Sequence, residues 1–274
     1  MENILHLITN EINPKEKPGK KKRGAGREEI FGTSRMHQKM YSHHLDNERN
    51  VIVWMPPGYK RLRNAHKRYP VLYMHDGQNL IDPKTSFAGM DWRVDETVSR
   101  LSKAKKMKDV IVVGIYNTPD RLNEYSDSVK GEKYLKFIVN ELKPFIDSNY
   151  RTFPERENTA IMGSSMGGLI SFIAGWKYDN VFSMAGCMSS SFYHDDEKIF
   201  DMINENSGPK KKVKLYIDHG EDGLMRGQKM YVKLTELGYV IGKDMDYFYA
   251  PRAEHTESAW ADRLERPLLF FFGI

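Results

Sequence analysis

Gly163-Ser164-Ser165-Met166-Gly167-Gly168 decides how the rest of this chain is read. A short apolar run at 159–162 precedes it, and apolar residues at helical spacing follow from about 166 to 176. G-x-S-x-G between a strand and a helix predicts a sharp, strained turn with Ser165 at its apex, its hydroxyl projecting from the sheet. The positions two before and two after must be small or their side chains collide, and here they are Gly163 and Gly167. A helix starting at Met166 aims its N-terminus at the oxygen of a reacting carbonyl, where negative charge develops. The bland alternative is a glycine-rich turn that merely packs closely.

Outward from that turn, strands alternate with helices. Residues 36–45 and 49–55 predict an antiparallel pair joined around Asp46-Asn47 and ended by Pro56-Pro57-Gly58. Apolar runs at 69–74 and 109–116 predict buried strands, with a helix over 91–102 between them. Residues 130–150 repeat a helical period, with a kink expected at Pro144. After the turn come strands at 183–188, 213–217 and 245–249, with helices near 197–204, 225–237 and 258–271. Such alternation predicts an α/β fold: a mostly parallel sheet covered on both faces, its functional groups in loops beyond the carboxyl ends of the strands.

The 274 residues suit one large domain with an ordinary globular composition, 40% hydrophobic and 29% charged. That excludes collagenous, disordered and disulfide-rich classes. The single cysteine, Cys187, falls inside a strand and reads as core filler. No apolar run approaches the roughly 18 residues of a membrane span. The first residues lack the pattern of a signal peptide, so the expectation is a cytoplasmic protein. The net charge of +5 belongs entirely to residues 15–35, where eight basic residues face three acids. We therefore divide the chain into a basic extension, 1–30, and a catalytic domain, 31–274. The extension reads as a solvated linker behind a short amphipathic helix that docks on the domain or on a second copy; an electrostatic partner is the sharper alternative.

A serine nucleophile needs a base and an acid in the order Ser, acid, His. His255 follows the last predicted strand and precedes the final helix, where the base belongs. The loop Asp218-His219-Gly220-Glu221-Asp222-Gly223 offers three carboxylates, of which Asp222 is the first choice, Glu221 the second and Asp218 the third. An N-cap role for Asp222 and a plain surface charge for Glu221 compete with these assignments. The oxyanion donors are expected at the backbone N–H of Met166 and of Gln78, the latter in His75-Asp76-Gly77-Gln78-Asn79 after the strand ending near Met74. A metal reading of His75 and Asp76 finds no further cluster with ligand spacing, so neither metal nor cofactor is expected.

These pieces resemble the esterase branch of the α/β-hydrolases, which includes feruloyl and acetylxylan esterases, S-formylglutathione hydrolase, siderophore esterases and mycolyltransferases. The likeness is carried by Arg49-Asn50-Val51-Ile52-Val53-Trp54-Met55-Pro56-Pro57-Gly58-Tyr59 and by Leu72-Tyr73-Met74-His75-Asp76-Gly77-Gln78-Asn79-Leu80. Val113-Gly114-Ile115, Arg121, Glu124-Tyr125, the Ser165 turn and Glu254-His255-Thr256-Glu257-Ser258-Ala259-Trp260 continue it. The resemblance implies a serine carboxylic-ester hydrolase with Ser165 as nucleophile and His255 as base, acting on a small-molecule or carbohydrate-linked ester. Feruloyl or acetyl esters of carbohydrate come first among its substrates, and a siderophore or other small cytoplasmic ester second. A rival class is a non-catalytic scaffold that binds anionic partners, nucleic acid among them, through its basic extension. Trp92 and Phe192 are candidate pocket residues, with core packing the alternative for Trp92. Arg121 is expected to pair with Glu124, and His43-His44 to lie on a strand edge.

Overall fold

The computed structural model describes residues 31–205 and 210–274. The 1–30 extension, and with it any role as helix, linker or oligomer contact, lies outside the described residues. Eight strands form one sheet: β1 (Thr33–Ser42), β2 (Asn47–Met55), β3 (Val71–His75), β4 (Ile111–Ile115), β5 (Thr159–Ser164), β6 (Met184–Met188), β7 (Lys214–His219) and β8 (Met245–Tyr249). Their spatial order is β1-β2-β4-β3-β5-β6-β7-β8. The hairpin β1–β2 is antiparallel, as is β2 on β4, and every later pairing is parallel.

The central strands β3 to β6 are buried along their whole length, as expected of parallel strands covered on two faces. One apolar layer packs Tyr134, Phe137, Ile170, Phe172 and Ile203 on one side of the sheet, and a second packs Trp92, Val98, Leu101, Trp260 and Leu268 on the other. The helices are α1 (Val94–Lys103), α2 (Arg121–Glu124), α3 (Val129–Lys136), α4 (Lys143–Asn149), α5 (Met166–Lys177), α6 (His194–Glu205), α7 (Leu224–Glu236), α8 (Glu257–Arg263) and α9 (Glu265–Phe272). The described helices include none long and apolar enough to cross a membrane.

Three local expectations are corrected. The 130–150 helix is a relay: α3, a π-helical stretch Phe137–Leu142, then α4. Pro144 has no N–H to give a preceding carbonyl, and it lies just after the π-helical stretch, at the start of α4. The final helix divides into α8 and α9 around Leu264. His43 and His44 belong to the β1–β2 turn, where both backbone N–H groups donate to Glu141 Oε1 at 3.1 and 3.2 Å.

Candidate active site

Ser165 links β5 to α5 with φ 56° and ψ −124°. A non-glycine residue there costs on the order of 1–3 kcal/mol and persists only where its surroundings enforce it. Its N–H donates to Met188 O at 3.0 Å, and its carbonyl accepts from Ser191 N at 3.0 Å, so the end of β6 grips the turn from both sides. A Cβ on Gly163 would lie 2.8 Å from the carbonyl carbon and oxygen of Gly167, and one on Gly168 would lie 2.2 Å from Ser190 Oγ. Backbone contact therefore demands the glycine at 163, while a methyl on Gly168 would meet a side-chain hydroxyl. The Ser165 hydroxyl lies 3.2 Å from that of Ser191, a neighbour to which no sequence motif points.

The end of β3 lies beside this turn. A Cβ on Gly167 would stand 3.2 Å from His75 Cβ and 3.4 Å from Asp76 Oδ2, so the start of α5 abuts the end of β3. Gln78 follows in the short turn Gly77–Asn79; its carbonyl accepts from Thr85 Oγ1 at 2.6 Å and its Oε1 from Asn117 N at 3.3 Å. Asn79 Nδ2 in turn donates to Glu257 Oε1 at 3.3 Å, two residues beyond His255. The His255 ring is exposed and meets Trp260 edge-on at 5.0 Å, and Trp260 packs on Trp92 at 5.5 Å. Trp92, 3% exposed, thus lies in the core behind the histidine. Phe192, 1% exposed, packs edge-on against Phe172.

The three carboxylates after β7 have different surroundings. Asp218 is buried: Oδ1 accepts from Ser189 N and Arg263 Nη2, each at 3.0 Å, while Oδ2 accepts from Tyr216 OH at 2.8 Å and Arg263 Nε at 2.9 Å. Glu221 is exposed and accepts from the Tyr249 hydroxyl. Asp222 belongs to the turn Glu221–Gly223, and its side chain lies outside the described residues.

Two ion pairs replace the one expected between Arg121 and Glu124. Arg121 grips Asp76 with two 2.7 Å hydrogen bonds, Nε to Oδ1 and Nη2 to Oδ2. Glu124 instead accepts from Arg49, Nη1 to Oε2 at 2.9 Å and Nη2 to Oε1 at 2.8 Å, with both side chains fully buried. His75, beside Asp76, joins Tyr134 OH through Nδ1 at 2.8 Å, and burial lowers its pKa to about 3, so the ring is neutral. Cys187 is buried in β6, and burial pushes its thiol pKa well up, as befits core filler. Among the described residues, carboxylates of Asp91, Asp95 and Glu96 come within 4.8 Å of one another; each also takes part in other interactions, and acidic proximity alone does not define a metal site.

Among the concavities on the described surface are two of note. One of about 360 Å³ lies at the opposite end of the strands from Ser165, beside Arg61, Arg63 and Lys67. The other, about 340 Å³, is lined by Arg252, Glu254, Thr256 and Ser258 and flanks His255.

A mostly parallel sheet with a strained serine between strand and helix defines an α/β-hydrolase-type fold. Residues 42–271 match the family described as "Putative esterase", and the chain belongs to that family. Among solved structures, a ferulic acid esterase superposes with a TM-score of 0.67 at 24% identity, over 87% of this chain and 98% of that one. The enterobactin esterase of Shigella flexneri gives 0.71 at 17% identity, over 87% and 59%. An endo-1,4-beta-xylanase/feruloyl esterase of Xylanibacter ruminicola is 29% identical over 147 residues, 53% of this chain and 20% of that protein. The Bacillus subtilis protein YbbA is 26% identical over 168 residues, 57% of this chain and 62% of its own length. The chain therefore spans less than two thirds of these two curated relatives.

Proposed function

We propose that the chain is a serine carboxylic-ester hydrolase acting through an acyl-enzyme. The observation that carries this reading is the backbone of Ser165, held at φ 56° directly before the helix that Met166 begins. Ser165 Oγ attacks the ester carbonyl carbon as His255 takes its proton. The negative oxygen that forms is met by the N–H groups of Met166 and Gln78. Collapse breaks the bond to the alcohol, which leaves with the proton from His255. Water, deprotonated by the same histidine, then attacks the acyl-Ser165 ester, releasing the acid and restoring the serine hydroxyl. Asp222 is our choice for the carboxylate that orients the imidazole and stabilises its cation. The four donors already on Asp218 speak against that residue in the role.

For the substrate we infer a feruloyl or acetyl ester of carbohydrate. It is supported by the ferulic acid esterase likeness, which extends over 98% of that chain, and by the feruloyl esterase name of the Xylanibacter relative. A siderophore ester is the second reading, supported by the enterobactin esterase likeness.

The test is a fluorophosphonate, which should add once to the intact protein and not at all to Ser165→Ala. Labelling that survives the substitution would remove Ser165 from the mechanism. A parallel panel of acetyl, feruloyl and siderophore esters decides between the substrate readings by relative kcat/KM. Turnover of the siderophore ester alone would replace the first by the second.

A further inference from the structure

We propose that Arg121 is a positioning residue for the oxyanion site, acting through Asp76 on the Gln78 amide; this rests on the ester-hydrolase reading above. Asp76 ends β3 with φ 54° and ψ 48°, a left-handed backbone that costs a non-glycine residue about 1 kcal/mol or more. Four contacts hold it there. Arg121 supplies the two-bonded fork, Asn117 Nδ2 donates to Oδ1 at 2.7 Å, and the Asp76 N–H donates to Tyr125 OH at 3.3 Å. The guanidinium lies 5.0 Å from the centre of the Tyr125 ring, which fixes the plane from which it reaches Asp76.

The direction of the Gln78 N–H, two residues on, follows from that held backbone. Gly77 cannot absorb a change, because a Cβ there would lie 2.5 Å from the carbonyl carbon of Gly114; the turn is already seated on β4. Asn117 fixes the far side by donating its own N–H to Gln78 Oε1. The same Asp76 carboxylate lies beside the start of α5, where a Cβ on Gly167 would stand 3.4 Å from Oδ2. Arginine suits the task because its planar fork sets the angle of a carboxylate as well as its distance. A lysine supplies a point charge without that angle.

The experiment compares Arg121→Ala and Arg121→Lys with the unaltered protein on an oxoester and its thionoester, with active sites counted by fluorophosphonate titration. Sulfur accepts hydrogen bonds weakly, so the thionoester reaction draws little on the oxyanion site. Misplacing one donor should lower oxoester kcat about a hundredfold with KM within about twofold. The oxoester-to-thionoester rate ratio should fall by a similar factor, with the lysine variant intermediate. Asp76→Asn added to Arg121→Ala should slow the enzyme no further, since both act through one contact.

Equal losses on both esters would reduce Arg121 to a structural role. A raised KM at unchanged kcat would make it a substrate contact. Either overturns the proposal. If the alanine variant does not fold, the ratio measured on Arg121→Lys decides alone. Failure of the underlying reading looks different, since Ser165 of the unaltered protein would then not take up the fluorophosphonate.

Discussion

Arg263 and Asp218 form a buried bidentate pair, Nε to Oδ2 at 2.9 Å and Nη2 to Oδ1 at 3.0 Å, that joins α8 to the end of β7. Arg263 Nη2 also donates to Ser189 Oγ at 2.6 Å, adding the end of β6 to the junction. Removing one partner of a buried pair leaves a charge stranded and typically costs about 3–5 kcal/mol. Arg263→Met should therefore lower the denaturant midpoint strongly. Tyr216→Phe, which removes one neutral donor from the same carboxylate, should cost less, about 1.5–3 kcal/mol. Urea unfolding of both variants checks the ranking.

Gly163→Ala should cost the Ser165 turn its shape. The new methyl would meet the backbone of Gly167 at 2.8 Å, and backbone cannot rotate aside. We expect a fluorophosphonate labelling rate reduced about a hundredfold or more, because a misplacement near 1 Å already costs that much. Gly168→Ala meets the Ser190 hydroxyl, which can turn away, and should lose much less. Labelling rates of the two variants at equal protein concentration give the comparison.

His75 predicts an acid-sensitive stability. Its folded-state pKa, lowered to about 3 by burial, lies below the ordinary value of 6.5, so in that window the unfolded chain takes a proton that the folded chain refuses. The stabilisation is whole above pH 6.5 and is lost as pH falls towards 3, at up to about 1.4 kcal/mol per pH unit. His75→Gln should be less stable at neutral pH yet show a flatter decline between pH 6.5 and 4. Denaturant midpoints measured along that range would reveal a parallel decline if His75 contributed nothing.

The acid is tested by paired substitutions. Asp222→Asn should lower kcat by about a thousandfold or more while Glu221→Gln stays near the unaltered rate. The reverse result would transfer the role to Glu221, whose carboxylate already accepts from Tyr249.

The residues that could be read from sequence are those whose constraint is local. Gly163 stands two positions before Ser165 because a side chain there would meet the backbone of Gly167, two positions after it, and a collision at that range leaves a spaced motif. The strands were legible for a similar reason, since burial on both faces leaves short apolar runs such as Val71-Leu72-Tyr73. Ion pairs behave otherwise. Arg121 and Glu124, three residues apart, invite pairing on a helix, but α2 is a single turn and the sheet brings better partners. Arg121 reaches Asp76 across 45 residues, and Glu124 reaches Arg49 across 75. Ser191 was invisible because β6 carries it to Ser165 from 26 positions away. The π-helical stretch within 130–150 leaves no sequence signal, because it keeps the apolar period nearly unchanged.

The segment carrying His255 is fastened to the segment after β3 at three points: Asn79 to Glu257, Trp92 to Trp260, and Arg93 to Asp262 at 2.7 Å. Anyone exchanging loops between relatives to alter substrate choice would therefore have to move residues 76–93 and 254–263 together. Transplanted singly, either would arrive without the counterpart that gives it its shape.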